Sequence, residues 1–453
     1  MPGWWSLLPA LIAIPVVFFT HRLVLALGLY VLLGALILEK GWLPQVFGRL
    51  LSILAQVVVQ PNNLLIFAFS LLIGGLVGLI QRAGGIEGFA RFVESQGRFD
   101  RPNRIALLAF VTSMLLFVES SFGTLVAGLI ALPLFDRYRL LRLRLSYLLD
   151  ATCAPKCMLI PLNAWGAYVA GLLVAQGVAQ SMATVLSALP LTFYGWIAIV
   201  LAGWVAAMNW EIPWRIAISA KTVGEAVHFT EALASYPQSP RRACDLWGPI
   251  GGLVLGVLAL LCMGWNPPLA IFTSVGLTLS ITALVFGARG LLPWREVTWA
   301  VWWGIRALWP LAYLMVFAFA VGATTRALGT GEFLAGALSG RFDPVWLPAL
   351  VFSIGCVISF ASGTSWGTFA ILIPIAVPLA QAFHVPLPLM VGAALSGGLF
   401  GDHCSPVSDT TMVASIAAGV RPIDHVRHQL PYAMLGAGIA LGLYLMAGWM
   451  VSR

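Results

Sequence analysis

Residues 401–411 read GDHCSPVSDTT, and this short run places two aspartates and a histidine directly after a long apolar segment. No Asp, Glu, Lys or Arg occurs over residues 344–401, and the segments 157–210 and 249–288 are equally free of them. A helix needs about 20 apolar residues to cross a bilayer, so these segments can each hold more than one span. The run at 401–411 therefore predicts polar chemistry at membrane depth.

The composition of the chain indicates an all-α polytopic membrane protein. Of its 453 residues, 60% are hydrophobic and 9% are charged, whereas soluble domains carry about 25% charged residues. The net charge of +8 comes largely from short basic clusters such as 91–104 and 137–144, as is typical of cytoplasmic loops. This pattern favours a multi-pass protein of the bacterial inner membrane and argues against a nucleic-acid partner. The six cysteines form no CxxC pair, so no disulfide framework, zinc site or other cofactor is expected.

A polar connector over residues 208–246 divides the chain into two halves. We expect N-terminal spans and a linker over 1–60, a first repeat over 61–207, scaffold spans over 247–300, and a second repeat with a C-terminal span over 301–453. Gly and Pro interrupt several apolar segments, so we expect about 11–13 full spans together with discontinuous or re-entrant helices.

Three short matches that keep the same order indicate an internal repeat. Chance similarity between two apolar segments is the alternative, and the shared order argues against it. Repeats of this kind are often inverted in the membrane and place the binding site at their interface, near the midplane. The matches are 78–85 with 322–329 and 121–124 with 365–368, both offset by 244 residues (322 − 78, 365 − 121), and 153–155 with 404–406, offset by 251 (404 − 153).

The few ionisable residues within the apolar segments lie beside these motifs. A charge at the bilayer centre costs about 2.5–3.5 kcal/mol on insertion scales, so each such residue is a functional hypothesis by default. The alternative is that each acid caps a helix or pairs at a loop. The candidate residues for binding an ion or a substrate are Glu119, Ser121, Thr124, Asp150, Thr152, Lys156, Asn163, Trp165, Thr364, Ser365, Trp366, Thr368, Asp402, His403, Ser405, Ser408, Asp409 and Thr410.

The chemistry of this set suits exchange of a small cation for protons. Helix breaks free backbone carbonyls, and irregular backbone is tolerated in the membrane only where it lines a cavity or is buried in protein. Hydroxyl and carbonyl oxygens are hard ligands, and Asp402 and Asp409 would supply negative charge for a small cation. Burial raises the pKa of a carboxyl group and a bound cation lowers it, so one site can exchange the two ions. Asp150 and Glu119 would be partners from the other repeat, and Trp165 and Trp366 would wall the cavity.

Lys156 does not fit simple cation exchange. Its ammonium could pair with Asp150, Glu119 or Asp402, and so occupy the place of a bound cation, or it could face an anionic group of an organic substrate. A lysine that reaches the membrane surface is the alternative.

A possible nucleophile motif is present but lacks its usual context. Residues 363–367 fit G-x-S-x-G, with His403 as a conceivable base, yet that motif requires the strand–turn–helix of a soluble sheet. Because Ser121 recurs at the matching place in the first half, a two-sided ligand shell explains the serine better than catalysis. We therefore do not expect an enzyme.

At these residues the chain resembles the NhaC-type sodium/proton antiporter family. The resemblance is carried by residues 121–128 (SFGTLVAG), 163–168 (NAWGAY), 363–369 (GTSWGTF) and 401–411, and by 424–432. It implies two inverted repeats, an ion-transporter-type fold and elevator movement of a transport domain against a scaffold. Glu119 stands where the family pattern leads us to expect Asp, and Lys156 where it leads us to expect an apolar residue.

The leading hypothesis is a secondary transporter that exchanges Na⁺ for protons through buried carboxylates at the repeat interface. The second is a proton-coupled or exchange transporter of a small organic metabolite in which Lys156 replaces the bound cation. The third, an intramembrane enzyme, is disfavoured. The expected partners are the lipid bilayer and a small ion or molecule, with a homodimer as a possible assembly.

Overall fold

The computed structural model describes residues 3–20, 22–40, 42–85, 88–89, 92, 101–117, 119–208, 242–330, 333, 336–337 and 343–451. These residues are helical or irregular, with no strand among them. Most of the polar connector expected over 208–246 lies outside the described residues, so the boundaries of the proposed segments stay a prediction.

We number the α-helices of the described residues in chain order. In the first half they are Leu8–Thr20 (α1), Leu23–Leu38 (α2), Leu43–Val59 (α3), Pro61–Ala83 (α4), Pro102–Leu115 (α5), Ser120–Arg137 (α6), Arg142–Leu159 (α7), Ala164–Ala175 (α8), Ser181–Ala188 (α9) and Phe193–Met208 (α10). In the second half they are Cys244–Cys262 (α11), Pro267–Ala288 (α12), Trp294–Ala307 (α13), Trp309–Ala327 (α14), Leu347–Ser362 (α15), Ser365–Ala382 (α16), Leu387–Cys404 (α17), Asp409–Ala418 (α18) and Pro422–Val451 (α19).

The helices confirm a polytopic all-helical membrane fold with broken spans. Within the described residues, seven helices are long and apolar enough to cross a membrane, or up to nine if each of two bent pairs is one span. The bends are 50° between α7 and α8 and 48° where the segment containing α9 meets α10. The shorter apolar helices are α1, α2, α3 and α5, and a total of about 11–13 spans requires some of them to cross as well.

A unit of four helices occurs twice with the same spacing. The helices α5, α6, α7 and α8 begin at residues 102, 120, 142 and 164, and α15, α16, α17 and α18 begin at 347, 365, 387 and 409. Every pair of starts differs by 245 residues (347 − 102, 365 − 120, 387 − 142, 409 − 164). We call the two units repeat 1 and repeat 2. Their opposite orientation in the membrane stays a prediction.

This spacing corrects two of the sequence matches. The residue that corresponds to Ser365 is Ser120 (365 − 120 = 245) rather than Ser121, and the third match is out of register. Cys153, Ala154 and Pro155 lie inside α7, whereas Cys404 ends α17 and Ser405 follows the helix end. The residue of repeat 1 that corresponds to Pro406 is Pro161 (406 − 161 = 245), which lies between α7 and α8. The match at 251 arose because small residues and proline recur on both sides of the break.

The helices α7 and α17 form the centre of the bundle. Residues 143–159 of α7 and 389–404 of α17 are all buried, including their polar side chains. The helix α17 packs tightly on α15, because a Cβ at Gly397 would lie 2.6 Å from the Phe352 carbonyl oxygen, and one at Gly401 would collide with the backbone of Ser359 and Phe360. Only glycine permits this approach, which brings the end of α17 against the end of α15.

Candidate functional site

Each repeat has one break between its first and second helices and another between its third and fourth helices. In repeat 2 these two breaks contact each other. Gly363 ends α15 in the left-handed conformation, with φ of +67°. A Cβ there would lie 2.7 Å from the Val407 carbonyl, in the segment between α17 and α18. The position thus requires glycine twice, for its backbone angle and for its close contact. As a result, the first residue of α16, Ser365, faces the end of α17.

Asp402 occupies this junction and is surrounded by hydroxyl groups. Its side chain is 2% exposed. Ser365 Oγ donates to Asp402 Oδ2 at 2.6 Å, and Ser408 Oγ donates to Oδ1 at 3.0 Å. Thr410 Oγ1 lies 2.9 Å from the Asp402 carbonyl oxygen and 3.4 Å from Oδ1. We call Asp402, Ser365, Ser408 and Thr410 the Asp402 cage, and all four were predicted site residues.

The cage contains no basic side chain. No Lys, Arg or His within the described residues forms an ion pair with Asp402. No group of three or more His, Cys, Asp and Glu side chains that could hold a metal ion occurs there either. An ion in the cage would therefore be held by one carboxylate together with hydroxyl and carbonyl oxygens, a donor set suited to a hard cation.

The two repeats contact each other in a reciprocal way. The short helix α8 of repeat 1 packs on α16 of repeat 2, and the short helix α18 of repeat 2 packs on α6 of repeat 1. At the first contact the rings of Trp165 and Trp366 lie 4.9 Å apart, and Tyr168 donates to the Trp366 carbonyl at 2.8 Å. At the second, Gly128 abuts Ala417. The short helices α8 and α18 thus join the two repeats, as expected for a site at a repeat interface.

A cavity of about 620 Å³ adjoins this interface. Its wall contains six predicted residues, together with Arg22 from the start of α2 and hydrophobic residues of α14. The predicted residues are Glu119, Ser121, Trp165, Thr364, Trp366 and Asp409. Many of the residues predicted from the sequence therefore lie in one of two places, the buried Asp402 cage or this cavity.

Asp409 belongs to the cavity rather than to the cage. It is the first residue of α18 and is exposed, and the Thr410 amide donates to its Oδ1 at 3.0 Å. An acid in the first turn is stabilised by the helix dipole. Thr410 contacts both acids, through its amide to Asp409 and its hydroxyl to Asp402, and joint binding of one ion by the two carboxylates stays a prediction.

Asp150 lies in a second buried cluster, of which only some members were predicted from the sequence. Its Oδ2 accepts from Thr411 Oγ1 at 3.0 Å, from His425 Nε2 at 3.0 Å and from Gln429 Nε2 at 2.9 Å. His403, whose Nδ1 lies 2.7 Å from the Tyr194 hydroxyl, is connected to it because Gln429 also donates to the His403 carbonyl. His425 and Gln429 were missed as site residues, although a helical spacing of four places both on one face of α19.

Lys156 is fully buried but forms no ion pair with a carboxylate among the described residues. Its Nζ donates to Ser113 Oγ at 3.0 Å, and Ser113 Oγ lies 2.7 Å from Thr152 Oγ1. The interpretation of Lys156 as a surface lysine is wrong, and so is its expected pairing with Asp150, Glu119 or Asp402. The ammonium lies beside Gly123 of α6, where a Cβ would be 2.8 Å from Nζ.

The remaining predicted residues stabilise the breaks. Asn163 caps α8 by accepting from the Trp165 amide, and its Nδ2 donates to the carbonyls of Phe117, Cys157 and Ile160. Ser405 donates to the Phe360 carbonyl at 2.7 Å. Thr124 and Thr368 each donate to the carbonyl four residues earlier in the chain. Such bonds satisfy carbonyls freed by the breaks, as a membrane interior requires.

Comparison with known proteins places this architecture in a family. A family model described as the Na⁺/H⁺ antiporter family matches residues 179–449, which is more than half of the chain. The chain belongs to this family. It is therefore a multi-pass membrane protein of an antiporter family, and the resemblance found in the sequence is confirmed.

The chain is also similar to individual proteins, two of which are described as antiporters of different cargo. A protein of Haemophilus influenzae without an assigned function is 30% identical over 99% of this chain and 91% of its own length. The Bacillus subtilis malate-2H⁺/Na⁺-lactate antiporter is 38% identical over 21% of this chain and 20% of its own. The Bacillus subtilis Na⁺/H⁺ antiporter NhaC is 28% identical over 44% of this chain and 43% of its own.

A solved structure has a similar fold. The Alcanivorax borkumensis YdaH transporter, described as having an unusual topology, superposes with a TM-score of 0.54 at 15% sequence identity, covering 90% of each chain. This likeness concerns the fold alone.

Proposed function

We propose that this protein exchanges a small cation, Na⁺ in the first instance, for protons across the bacterial inner membrane, and that the Asp402 cage binds the cation. The observation that carries the proposal is a buried carboxylate with three hydroxyl neighbours and no cationic partner. An isolated charged carboxylate is costly in a low-dielectric interior, so Asp402 needs either a proton or a cation. Because each ligand neutralises the same group, they exclude one another, and exchange follows.

The hydroxyl groups suit both states of the site. Toward a charged carboxylate, Ser365 and Ser408 donate hydrogen bonds, and toward a cation they present lone pairs after rotation about one bond. Backbone carbonyls are close enough to complete the shell, since Ser365 Oγ also lies 3.2 Å from the Gly398 carbonyl. The cage can change its ligand without a change in backbone position.

Sodium-driven proton movement in proteoliposomes tests the proposal. A NaCl pulse outside vesicles that contain a pH dye should raise the internal pH, because sodium enters as protons leave. Choline chloride is the salt control, and vesicles with Asp402→Asn protein, reconstituted to the same density, are the protein control. An internal pH that stays constant in wild-type vesicles, at neutral and at alkaline pH, would contradict sodium exchange.

A second candidate function is exchange of a small organic ion. It is favoured by the cavity, since about 620 Å³ falls within the usual size of small-molecule pockets and far exceeds what one cation needs. The cavity presents the carboxylates of Glu119 and Asp409 and the guanidinium of Arg22, so an organic ion could find partners of either sign. Thermal-shift screening of carboxylic acids and amino acids, with and without sodium, separates the two candidates. A sodium response that no organic ion alters would count against the second.

A further inference from the structure

The cluster around Asp150 is fully buried and is separate from the Asp402 cage. Asp150, His403, His425, Gln429 and Thr411 are at most 2% exposed. These residues come from α7, α17, α19 and the start of α18, so four helices converge on one carboxylate oxygen and its neighbours. We call this group the His425 cluster.

The hydrogen bonds assign a tautomer to His425. Asp150 Oδ2 lies 3.0 Å from Nε2, so Nε2 carries hydrogen and donates to the carboxylate. In the neutral imidazole Nδ1 is then an acceptor, and it is a buried atom without a partner among the described residues. His425 Nδ1 can therefore accept a proton. Without that proton, Asp150 and neutral His425 together carry a net charge of −1.

Buried polar atoms without a partner occur at three neighbouring groups as well. Asp150 Oδ1 and Gln429 Oε1 are buried without a partner in the described part of the chain, and so is His403 Nε2. Buried polar groups are nearly always hydrogen-bonded. Their convergence around His425 points to a ligand that donates hydrogen bonds, that is, a proton or water that carries one.

The other ionisable groups near the cluster do not neutralise Asp150. On α7, Arg144 donates to the Val205 carbonyl at 2.6 Å, and Tyr147 stacks on Tyr432 with ring centres 4.3 Å apart. On α19, Arg421 pairs with Asp424 at 2.7 Å, and His428 contacts the Tyr432 ring. On α10, Tyr194 bonds to His403. On α18, Thr411 donates its hydroxyl to Asp150, and the acid Asp409 lines the cavity. Lys156, also on α7, donates to Ser113 instead. Among the described residues, His425 is therefore the group that both contacts Asp150 and can carry a positive charge.

We propose that Asp150 and His425 form a proton-carrying site distinct from the Asp402 cage. A proton adds to His425 Nδ1 while Nε2–H stays bonded to Asp150 Oδ2, which converts the pair from a net charge of −1 to a neutral imidazolium–carboxylate pair. Release is the reverse step. Such a pair carries a proton without exposing a charge to the membrane interior. The proposal rests on the proposed function, since it adds a second exchanged proton to the one that competes with the cation at Asp402.

Two short connections join the proton site to the cation site. Thr410 contacts Asp402 and the next residue, Thr411, donates to Asp150, so the first turn of α18 lies between the two carboxylates. Gln429 donates both to Asp150 and to the carbonyl of His403, which directly follows Asp402 in the chain. A cation bound at Asp402 therefore acts at short range on the imidazolium, and should favour release of its proton.

The test combines two measurements on full-length protein in lipid vesicles. In the first, histidine labelled with ¹⁵N reports the protonation of each imidazole by solid-state NMR during a pH titration without sodium, and the signal lost in His425→Gln identifies His425. In the second, protons released into a weakly buffered medium are counted after addition of NaCl. His428→Gln is the matched control, because His428 lies one turn away on α19 and has no bond to Asp150.

The proposal expects His425 to become an imidazolium within the titration. In Asp150→Asn, protonation of His425 should require a proton concentration at least about tenfold higher, since the charged partner is lost. Sodium should release fewer protons from His425→Gln than from wild type, by at least about twofold, and an unchanged number from His428→Gln. A His425 ring that stays neutral throughout, or wild-type proton release from His425→Gln, would overturn the proposal. Wild-type protein that ignores sodium would overturn sodium exchange instead, and the NMR titration would still decide the proton site.

Discussion

Each repeat places a serine of its first helix against its third helix, one residue out of the 245-residue register (359 − 113 = 246), and different groups surround the two serines. In repeat 2, Ser359 Oγ donates to the Gly397 carbonyl at 2.7 Å and accepts from the Gly401 amide at 2.9 Å. In repeat 1, Ser113 Oγ lies 2.7 Å from Thr152 Oγ1 and accepts from Lys156 Nζ at 3.0 Å. Thr152 and Lys156 are the counterparts of Gly397 and Gly401 (397 − 152 and 401 − 156 are both 245).

This difference determines which side chains each repeat holds at the corresponding place. Glycines let the backbones of α15 and α17 touch, so the next residue, Asp402, is held among hydroxyls. In repeat 1 side chains fill the corresponding space, and the counterpart of Asp402 is Cys157 (402 − 157 = 245), which donates to the Phe117 carbonyl. The acid of α7, Asp150, comes seven residues before Cys157 (157 − 150) and bonds to α18 and α19 instead. The duplicated four-helix unit thus holds the Asp402 cage in repeat 2 and a buried lysine in repeat 1.

The largest expected effect comes from the acid of the cage. Asp402→Asn keeps the shape and removes the charge, so sodium-driven proton flux in proteoliposomes should fall by at least about 100-fold. Expression and melting temperature should change little. The matched variant in repeat 1 is Cys157→Ser, which keeps its donor and should retain most of the flux. Equal losses in the two variants would mean that the repeats do not differ as described.

The next effect concerns a hydroxyl of the cage. Ser365→Ala removes the 2.6 Å bond to Asp402. Hydrogen bonds to charged groups contribute about 1.5–3 kcal/mol, so the apparent sodium affinity should weaken by roughly 10- to 100-fold. Its counterpart, Ser120→Ala (365 − 120 = 245), should change the affinity by less than about threefold. Sodium titrations of transport measure both, and the reverse ranking would exclude Ser365 as a ligand.

Lys156→Met probes the fixed positive charge of repeat 1. Loss of a buried ammonium should make cation binding easier, with sodium affinity about fivefold tighter, or about 1 kcal/mol. The matched variant Lys156→Arg keeps the charge and should not tighten binding. An unchanged sodium response in Lys156→Met, with intact folding, would show that this charge does not act on the cation.

Asn163→Ala should affect stability more than transport. The change leaves the carbonyls of Phe117, Cys157 and Ile160 without their donor and removes the cap of α8. Such losses cost about 2–4 kcal/mol in total, so the melting temperature should fall clearly while the sodium affinity stays within about twofold. Ser405→Ala, which frees one carbonyl, should lower the melting temperature less. A sodium affinity that falls together with stability would make Asn163 part of the site.

The sequence predicted the membrane fold, the duplication and the Asp402 cage because these depend on local patterns. Asp402, Ser408 and Thr410 lie within one turn of the break between α17 and α18. Ser365 lies at the break between α15 and α16. The partners of Asp150 were not predictable in the same way. His425 and Gln429 are more than 270 residues away, since the contacts span 275 and 279 positions, and only the packing of α19 brings them to α7.

Lys156 and Asp409 show a second limit of the sequence. Both were assigned by charge near a motif, yet the partner of a buried charge depends on which face of its helix points inward. Lys156 turns toward Ser113 on α5, and Asp409 points from the start of α18 into the cavity. The sequence pattern identified these residues, but the orientation of their side chains depends on tertiary packing.

Direct sodium binding is the measurement closest to the central claim that the Asp402 cage is the cation site. Isothermal titration of NaCl into purified protein should give saturable binding for wild type and for Cys157→Ser, and at least about 100-fold weaker binding for folded Asp402→Asn. Sodium binding of equal affinity in wild type and Asp402→Asn would contradict the claim.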